Sequence, residues 1–276
     1  MKLLTFRYNG NERVGILSDG KVYDIGFDSM NDLIDSGKKP VPGKEYGLSE
    51  VEIISPIPRP KQDMICLGIN YAAHAEESAR FKKETFEVER KYAVYFSKRV
   101  NEAVPNEGVI PSHQDIEEKI DYEVELAVVI GREAKNVSVE NAFDYIFGYT
   151  IINDISARDL QVNHKQWYFG KSLDGFTPMG PVIVTEDEFE RPPRLDIKSY
   201  VNGELRQNSN TDMLIKGIDE IISELSRGIT LLPGTIIATG TPAGVGMGMT
   251  PPTFLKKGDV VKCEIEKIGI LENIIG

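Results

Sequence analysis

The chain has 276 residues, of which 41% are hydrophobic and 27% are charged, and its formal net charge is −11 at pH 7. This composition is typical of a soluble globular protein with one large domain, or with a small domain and a larger one. Nucleic acids and anionic membranes bind basic surfaces, so the acidic balance argues against both as partners. An anionic metabolite remains possible where a metal ion or a few basic side chains supply local positive charge.

Cysteine content indicates a reducing compartment, and the apolar runs are too short for a membrane span or a signal peptide. The two cysteines, Cys66 and Cys263, form neither a disulfide framework nor a zinc-binding pattern, and we expect buried apolar side chains. No apolar run approaches the roughly 18 residues that span a bilayer, and the apolar run at the N-terminus is too short for a signal peptide. We therefore expect a cytoplasmic protein.

The first part of the chain has the pattern of a small β-meander. Strands are predicted over residues 3–6, 13–17 and 22–25, with turns at Asn9-Gly10 and Asp19-Gly20, and a short helix follows over Met30–Ser36. The proline-rich segment 54–60 can continue neither a strand nor a helix. We therefore predict a small N-terminal β domain over residues 1–57 and a catalytic domain over residues 58–276.

The rest of the chain is predicted to be dominated by strands. Strands are expected over 65–71, 93–97, 121–130, 145–153, 182–185, 235–238 and 260–265, with a hairpin turn at Asn202-Gly203 and helices over 72–91 and 211–227. Strands and helices do not alternate as in Rossmann or TIM-barrel folds. The predicted class is therefore α+β with few helices.

Two glutamates in one predicted strand suggest a metal site. Glu123 and Glu125 lie two residues apart, so their side chains share one strand face about 7 Å apart. A third carboxylate, Asp154, ends the apolar run 149–154. Three such groups could hold a hard divalent cation and leave positions open for a substrate. The alternative is a solvated acidic face, on which Asp121 would join the two glutamates.

A histidine and a glutamate could form an acid–base pair. Glu77 follows His74 by three residues, which is within reach on a helix, and this arrangement suits a general base with an orienting carboxylate. A surface helix can also carry this spacing by chance. The sequence lacks the motifs of serine or cysteine nucleophiles, so catalysis by such nucleophiles is poorly supported.

Further polar residues follow the predicted strands. Arg158 and Gln161 come after the strand that ends at Asp154, where a binding site or a capped helix start would both fit. Lys171 lies among aromatic residues and glycines, which is unusual for an idle surface lysine. The glycine-rich segment 240–248 lacks the features of a phosphate-binding loop and is either a close approach to a ligand or a tight turn.

Seven short motifs, taken in order, resemble the fumarylacetoacetate hydrolase family. They are Gly68-x-Asn-Tyr-x-x-His74, Phe96-x-Lys98, Tyr122-Glu-x-Glu-Leu126, Asn153-Asp-x-Ser-Ala-Arg-Asp159, Lys171-Ser-x-Asp174, Pro178-x-Gly-Pro181 and Thr239-Gly-Thr-Pro-x-Gly-Val-Gly246. The resemblance extends from about Pro58 to the C-terminus, and the first 57 residues resemble the accessory domain often found before it.

The resemblance implies a mixed β-roll fold, usually in a homodimer, and metal-dependent chemistry on 2-oxo or 1,3-dioxo acids. By this resemblance, Mg²⁺ or Mn²⁺ is the cofactor and its ligands are Glu123, Glu125 and Asp154. The resemblance also implies that His74, Glu77 and Lys171 are catalytic and that Arg158, Gln161 and Thr241 bind the substrate. In this family His74 and Glu77 would lie on a lid that orders with substrate. Lys171 and Arg158 would stabilise an enolate or a carboxylate.

Two departures narrow the expected reaction. True fumarylacetoacetases have a fourth metal-binding carboxylate where this chain has Leu67, and a tyrosine where it has Lys165. We therefore expect hydrolysis of an acylpyruvate or decarboxylation of an acid such as oxaloacetate. An isomerase of 5-carboxymethyl-2-hydroxymuconate type is the alternative, and a non-catalytic metabolite-binding protein is the second alternative.

Overall fold

Strands make up most of the regular structure in residues 1–82 and 92–276, which are the residues that the computed structural model describes. The strands are β1 Lys2–Tyr8, β2 Asn11–Ser18, β3 Lys21–Asp24, β4 Glu45–Gly47, β5 Glu52–Ile54, β6 Met64–Gly68, β7 Val94–Lys98, β8 Val109–Ile110, β9 Ile120–Asp121, β10 Val124–Ile130, β11 Ile146–Asn153, β12 Ser156–Ala157, β13 Met179–Thr185, β14 Asp196–Val201, β15 Glu204–Asn210, β16 Ile236–Ala238, β17 Val260–Ile265 and β18 Gly269–Ile275. The helices are α1 Met30–Ser36, α2 Ala72–Lys82, α3 Arg158–Asn163, α4 Tyr168–Lys171 and α5 Ile218–Gly228.

The strands form a large mixed sheet, a smaller one and a short ladder. The large sheet has the order β4-β3-β2-β1-β13-β11-β10-β16-β6-β7, with β5 also paired to β1. The smaller sheet has the order β15-β14-β17-β18-β8, and β12 pairs with β9 in the ladder. Most pairings are antiparallel, whereas β16–β6 and β18–β8 are parallel. The prediction of a strand-dominated α+β fold is confirmed.

Both faces of the large sheet are buried. Leu126 and Val128 of β10 point into a core shared with the smaller sheet and with α5. Ala127 and Val129 point to the opposite face, into a second core that contains α1. Because neighbouring strand residues alternate between the two faces, every residue of β10 is buried. This double burial positions the candidate site described below.

The N-terminal region is joined to the rest of the chain by pairing and packing. Lys2 and Leu3 of β1 lie opposite Val184 and Ile183 of β13, so the meander continues the large sheet. Buried side chains of α1 share a core with residues of β6, β10 and β16. The division into domains at residue 57 stays a prediction.

Several predicted elements have shifted ends. The helix expected over 211–227 begins at Ile218, because Asn70 binds the preceding segment in an extended form: its carbonyl and side-chain oxygens accept from the backbone N–H groups of Ile215 and Lys216. Gly217 then caps the helix, and its N–H donates to the Glu220 side chain. The strand expected over 65–71 ends at Gly68.

The predicted hairpin and the described part of the first long helix agree with the structure. The hairpin at Asn202-Gly203 joins β14 to β15, and both residues have positive φ, as a two-residue turn requires. The helix expected over 72–91 is present to Lys82, and residues 83–91 lie outside the described part of the chain. Among the described helices, no segment has the length and apolar character needed to cross a membrane.

Candidate metal and catalytic site

The ends of two neighbouring strands bring three carboxylates together. Val124 of β10 lies opposite Asn153 of β11, and the pairing continues beyond both strands, where the Asp154 N–H donates to the Glu123 carbonyl at 2.8 Å. The Glu123 N–H in turn donates to the Asn153 side chain at 3.0 Å. This register places Asp154 beside Glu123, and Glu125 shares the strand face of Glu123.

The three carboxylates form a compact buried triad. Oxygen atoms of Glu123, Glu125 and Asp154 lie within 4.8 Å of one another, and these residues are 5%, 1% and 0% exposed. A solvated acidic face is therefore excluded. That interpretation assumed that the strand face of the glutamates points to solvent. The same face continues through Ala127 and Val129 into the second core.

Three buried cations surround the triad. The ammonium of Lys171 donates to Glu123 at 2.7 Å and to Asp154 at 2.6 Å. Lys98 donates to the other oxygen of Asp154 at 2.6 Å, and Arg158 contacts Glu123 at 2.8 Å. Lys98 belongs to the Phe96-x-Lys98 motif, but the sequence assigned no function to it. Its strand gave no signal of burial, because the other residues of β7 are half-buried or exposed.

Glu125 is the triad member that has no ion pair within the described residues. One of its oxygens accepts the Gly240 N–H at 2.7 Å. Burial, followed by the nearby charges of Asp154 and Glu123, raises the pKa of Glu125 well above its usual range. At Glu123, burial also favours the neutral form, but the charges of Lys171 and Arg158 outweigh it and lower the pKa to about 2.

This charge pattern fits a divalent cation. The triad offers hard oxygen ligands from carboxylates, which suit Mg²⁺ or Mn²⁺. With Asp121, four buried carboxylates face the cations Lys98, Lys171 and Arg158, so one negative charge is left over. The uncompensated group is Glu125, and a bound cation would supply the missing positive charge. The residues present therefore fit a metal ion.

A fourth carboxylate, Asp121, holds two parts of the site together. Its Oδ2 accepts from Nε and Nη2 of Arg158 at 2.9 and 2.8 Å. The same carboxylate accepts the backbone N–H groups of Gly246 and Met247 at 2.7 and 2.9 Å. Sequence reasoning placed Asp121 only on a candidate acidic face. Asp121 orients Arg158 and fixes the glycine-rich loop against it.

The predicted acid–base pair lies on α2 at the edge of the site. His74 Nδ1 is 3.5 Å from Glu77 Oε2, and the imidazole is buried. The Gly244 N–H donates to both oxygens of Glu77, at 2.9 and 3.1 Å. A Cβ on Gly248 would lie only 2.6 Å from Cδ of Glu77, so a side chain there would displace the Glu77 carboxylate. The glycine-rich loop thereby holds the orienting carboxylate of the pair.

A cavity of about 460 Å³ joins these groups. Of the predicted residues, those lining it are His74, Glu123, Glu125, Arg158, Gln161, Lys171 and Thr241. Glu77 and Asp154 lie behind this lining and contact it through His74 and Lys171. The Thr241 hydroxyl donates to the Val124 carbonyl and accepts from Gln207, and Gln161 accepts from Arg158. All the predicted site residues are therefore brought together.

Comparison with known proteins shows which family the chain belongs to. A family model described as "Fumarylacetoacetate (FAA) hydrolase C-terminal" matches residues 63–275. Oxaloacetate tautomerase YisK of Bacillus subtilis is 47% identical over 231 residues, which are 84% of this chain and 75% of that protein.

Solved structures with the same fold cover the whole chain. A fumarylacetoacetate hydrolase from Exiguobacterium antarcticum is 41% identical, with a TM-score of 0.88 over 100% of this chain and 99% of that one. A 5-carboxymethyl-2-hydroxymuconate delta-isomerase from Mycobacterium smegmatis is 32% identical, with a TM-score of 0.81 over the same shares. The chain belongs to the fumarylacetoacetate hydrolase family.

Proposed function

We propose that the protein is a divalent-metal-dependent enzyme that forms and protonates enolates of short 2-oxo acids, with keto–enol tautomerisation of oxaloacetate as its reaction. The observation that carries this proposal is the buried triad of Glu123, Glu125 and Asp154: the two glutamates line a cavity with His74 and Lys171, and Lys171 contacts Asp154 behind it. The similarity to an oxaloacetate tautomerase supports the choice of reaction. The proposed cofactor is Mg²⁺ or Mn²⁺.

The triad and its neighbours would stabilise negative charge on the substrate. A divalent cation at the triad supplies a Lewis acid that favours an enolate over the ketone. Burial lowers the pKa of Lys171, but the carboxylates of Asp154 and Glu123 outweigh it and raise the pKa above its usual value. Lys171 therefore keeps its positive charge beside the substrate oxygens, and Arg158, held by Asp121, adds a second charge.

His74 would move the proton at C3 of the substrate. Its Nδ1 faces Glu77, which leaves Nε2 without a hydrogen bond in the described part of the chain. In one direction Nε2 takes a proton from C3 of the keto form, and a water molecule from solvent gives a proton to the enolate oxygen to complete the enol. In the other direction water accepts the proton of the enol oxygen as Nε2 returns a proton to C3. Glu77 keeps the imidazole oriented for both steps.

Hydrolysis of an acylpyruvate or decarboxylation is the second candidate, and the His74–Glu77 pair favours it. A histidine with an orienting carboxylate can also activate water for attack on a distal carbonyl. The isomerase with the same fold makes a hydroxymuconate-type dienoate a further substrate to test.

We also propose that the protein acts in the cytoplasm as a homodimer. Sedimentation of the pure protein would test the oligomeric state.

The deciding experiment is turnover of a substrate panel followed by NMR, with and without Mg²⁺ or Mn²⁺. The panel contains the enol and keto forms of oxaloacetate, acetylpyruvate, fumarylpyruvate and a carboxymethyl-hydroxymuconate. Metal-dependent interconversion of the oxaloacetate forms, faster than with an Asp154→Asn variant and the same metal, would support tautomerisation. Release of CO₂ or of an acid pair would instead support the second candidate, and binding without turnover would support a binding protein.

Replacement of His74 tests the proposed base. His74→Ala should lower kcat at least about 100-fold, the usual contribution of general acid–base catalysis, and should leave metal binding to the triad intact. The measurements are steady-state kinetics and calorimetric titration with Mn²⁺. Unchanged turnover of every panel substrate would mean that His74 is not the base.

A further inference from the structure

The basic side chains that line the cavity differ in the number of carboxylates with which they form ion pairs. Lys171 and Arg158 are buried, and each contacts two carboxylates. Lys165 also lines the cavity, but it is exposed and has no ion pair with any residue that the structure describes. Its ammonium group is therefore available for an anion that enters from solvent.

Lys165 has a left-handed backbone conformation that is unusual for a lysine. The residue follows α3 with φ of 60°, and its N–H donates to the Val162 carbonyl at 3.2 Å, as in a left-handed helix end. Glycine, or sometimes asparagine, usually occupies this position, because a Cβ is sterically disfavoured there. Lys165 nevertheless lies on the wall of the cavity.

The lining of the cavity consequently has two parts of different character. Glu123, Glu125 and Lys171 are buried, whereas Lys165 and Val162 are exposed to solvent. A ligand that contacts both parts would carry a metal-chelating 2-oxo carboxylate and a second anionic group. A substrate with one carboxylate would leave Lys165 unpaired.

We propose that Lys165 binds the distal carboxylate of a 2-oxo dicarboxylate and so selects diacids over monoacids. This inference rests on the proposed function, since it assigns the substrate class of the same site. Lys165 acts on recognition of the substrate, so its removal changes KM for diacids and leaves the proton transfer by His74 unaffected.

The test compares oxaloacetate with its 4-methyl ester, which lacks only the distal charge. Lys165→Met should raise KM for oxaloacetate at least about tenfold, the scale of one charge-assisted hydrogen bond, with kcat within about twofold. The constants for the ester should not change, and Lys165→Arg should restore most of the preference for the diacid. Equal losses on both substrates, or no change on either, would overturn the proposal.

Lys267 provides a matched control. It is an exposed lysine with φ of 66°, in the turn between β17 and β18, and it does not line the cavity. Lys267→Met removes the same charge from the same backbone conformation. The kinetic constants for both substrates should stay at their wild-type values in this variant. A loss of diacid preference here would mean that general surface charge, rather than Lys165, determines it.

Binding without turnover separates this proposal from the proposed function. Calorimetry with Mg²⁺ would compare 3,3-difluoro-2-oxobutanedioate with 3,3-difluoro-2-oxobutanoate, which cannot form enols. Tighter binding of the diacid to the wild type, lost in Lys165→Met, would support the role of Lys165 even if no substrate were turned over. A wild type without preference for the diacid, or a Lys165→Met variant that retains the preference, would overturn it.

Discussion

Glu125 is the side chain through which we expect pH to change metal affinity and stability. It is buried without an ion pair among the described residues, and its pKa is raised by burial and by Asp154 and Glu123. The folded state therefore binds a proton at Glu125 more tightly than the unfolded state does. The free energy of unfolding of the metal-free protein should fall as pH rises from the usual carboxylate range through this raised pKa. Metal binding needs the ionised form, so affinity should fall as pH drops below the raised pKa.

Glu125→Gln tests both effects. The variant keeps an acceptor for the Gly240 N–H and removes the buried charge, so the metal-free protein should become more stable by about 1–3 kcal/mol at neutral pH, the scale of a polar desolvation penalty. Stabilisation by Mn²⁺ should disappear. Thermal unfolding with and without Mn²⁺ from pH 5 to 8 measures both quantities. A variant that is less stable without metal would contradict this account of Glu125.

At the scale of elements, α2 and the glycine-rich loop are joined around the proposed acid–base pair of His74 and Glu77. The Gly244 N–H holds Glu77, and Gly248 leaves room for the same carboxylate. Asp121 fixes the loop from the other side and also binds Arg158. The loop thus connects the groups proposed to transfer protons with the groups proposed to stabilise negative charge.

Gly248→Ala should disturb this connection. The added Cβ would push the Glu77 carboxylate away from Gly244 and leave His74 poorly oriented, so kcat should fall about tenfold or more, with unfolding changed by less than about 1 kcal/mol. Steady-state kinetics and thermal unfolding check this. Gly228→Ala is the control, because a Cβ there meets open space at the end of α5, and its activity should equal that of the wild type. Full activity of Gly248→Ala would show that the close approach is not needed.

The sequence predicted strands and helices better than it predicted which of their faces are covered by other parts of the chain. The residues of β17 and the spacing of Glu123 and Glu125 follow from the two-residue period of strands. That period cannot tell whether a face is covered by another layer, because the covering residues come from distant parts of the chain. The late start of α5 has the same origin, since it depends on hydrogen bonds that the backbone N–H groups of Ile215 and Lys216 donate to Asn70, far away in sequence. The individual site residues were accessible through the family motifs, whereas the network of Asp121 and Lys98 needed three-dimensional contacts.

At the scale of the whole molecule, the N-terminal meander and the catalytic region share one core. Leu3 and Val14 pack in the same cluster as Cys66 and Ala127, and β1 covers the edge of β13. Loss of the meander would expose both the apolar cluster and a strand edge with free hydrogen-bonding groups.

Deletion of residues 1–57 should therefore prevent residues 58–276 from folding alone. We expect loss of a cooperative thermal transition and of the near-UV circular dichroism signal. Co-expression of residues 1–57 as a separate chain should restore both, if the meander acts only by packing and pairing. A soluble 58–276 fragment that unfolds cooperatively and binds Mn²⁺ would show instead that the catalytic region is independent.

The placement of the two thiols has a consequence for following motion within the fold. Cys66 lies in β6 of the large sheet and Cys263 in β17 of the smaller sheet; both are fully buried, and burial raises the pKa of each thiol. A thiol reagent can react with either only when its strand opens, so each sheet contains its own natural probe of local opening. Equal labelling rates would indicate that the sheets open as one cooperative unit, and unequal rates would rank their stabilities without any introduced label.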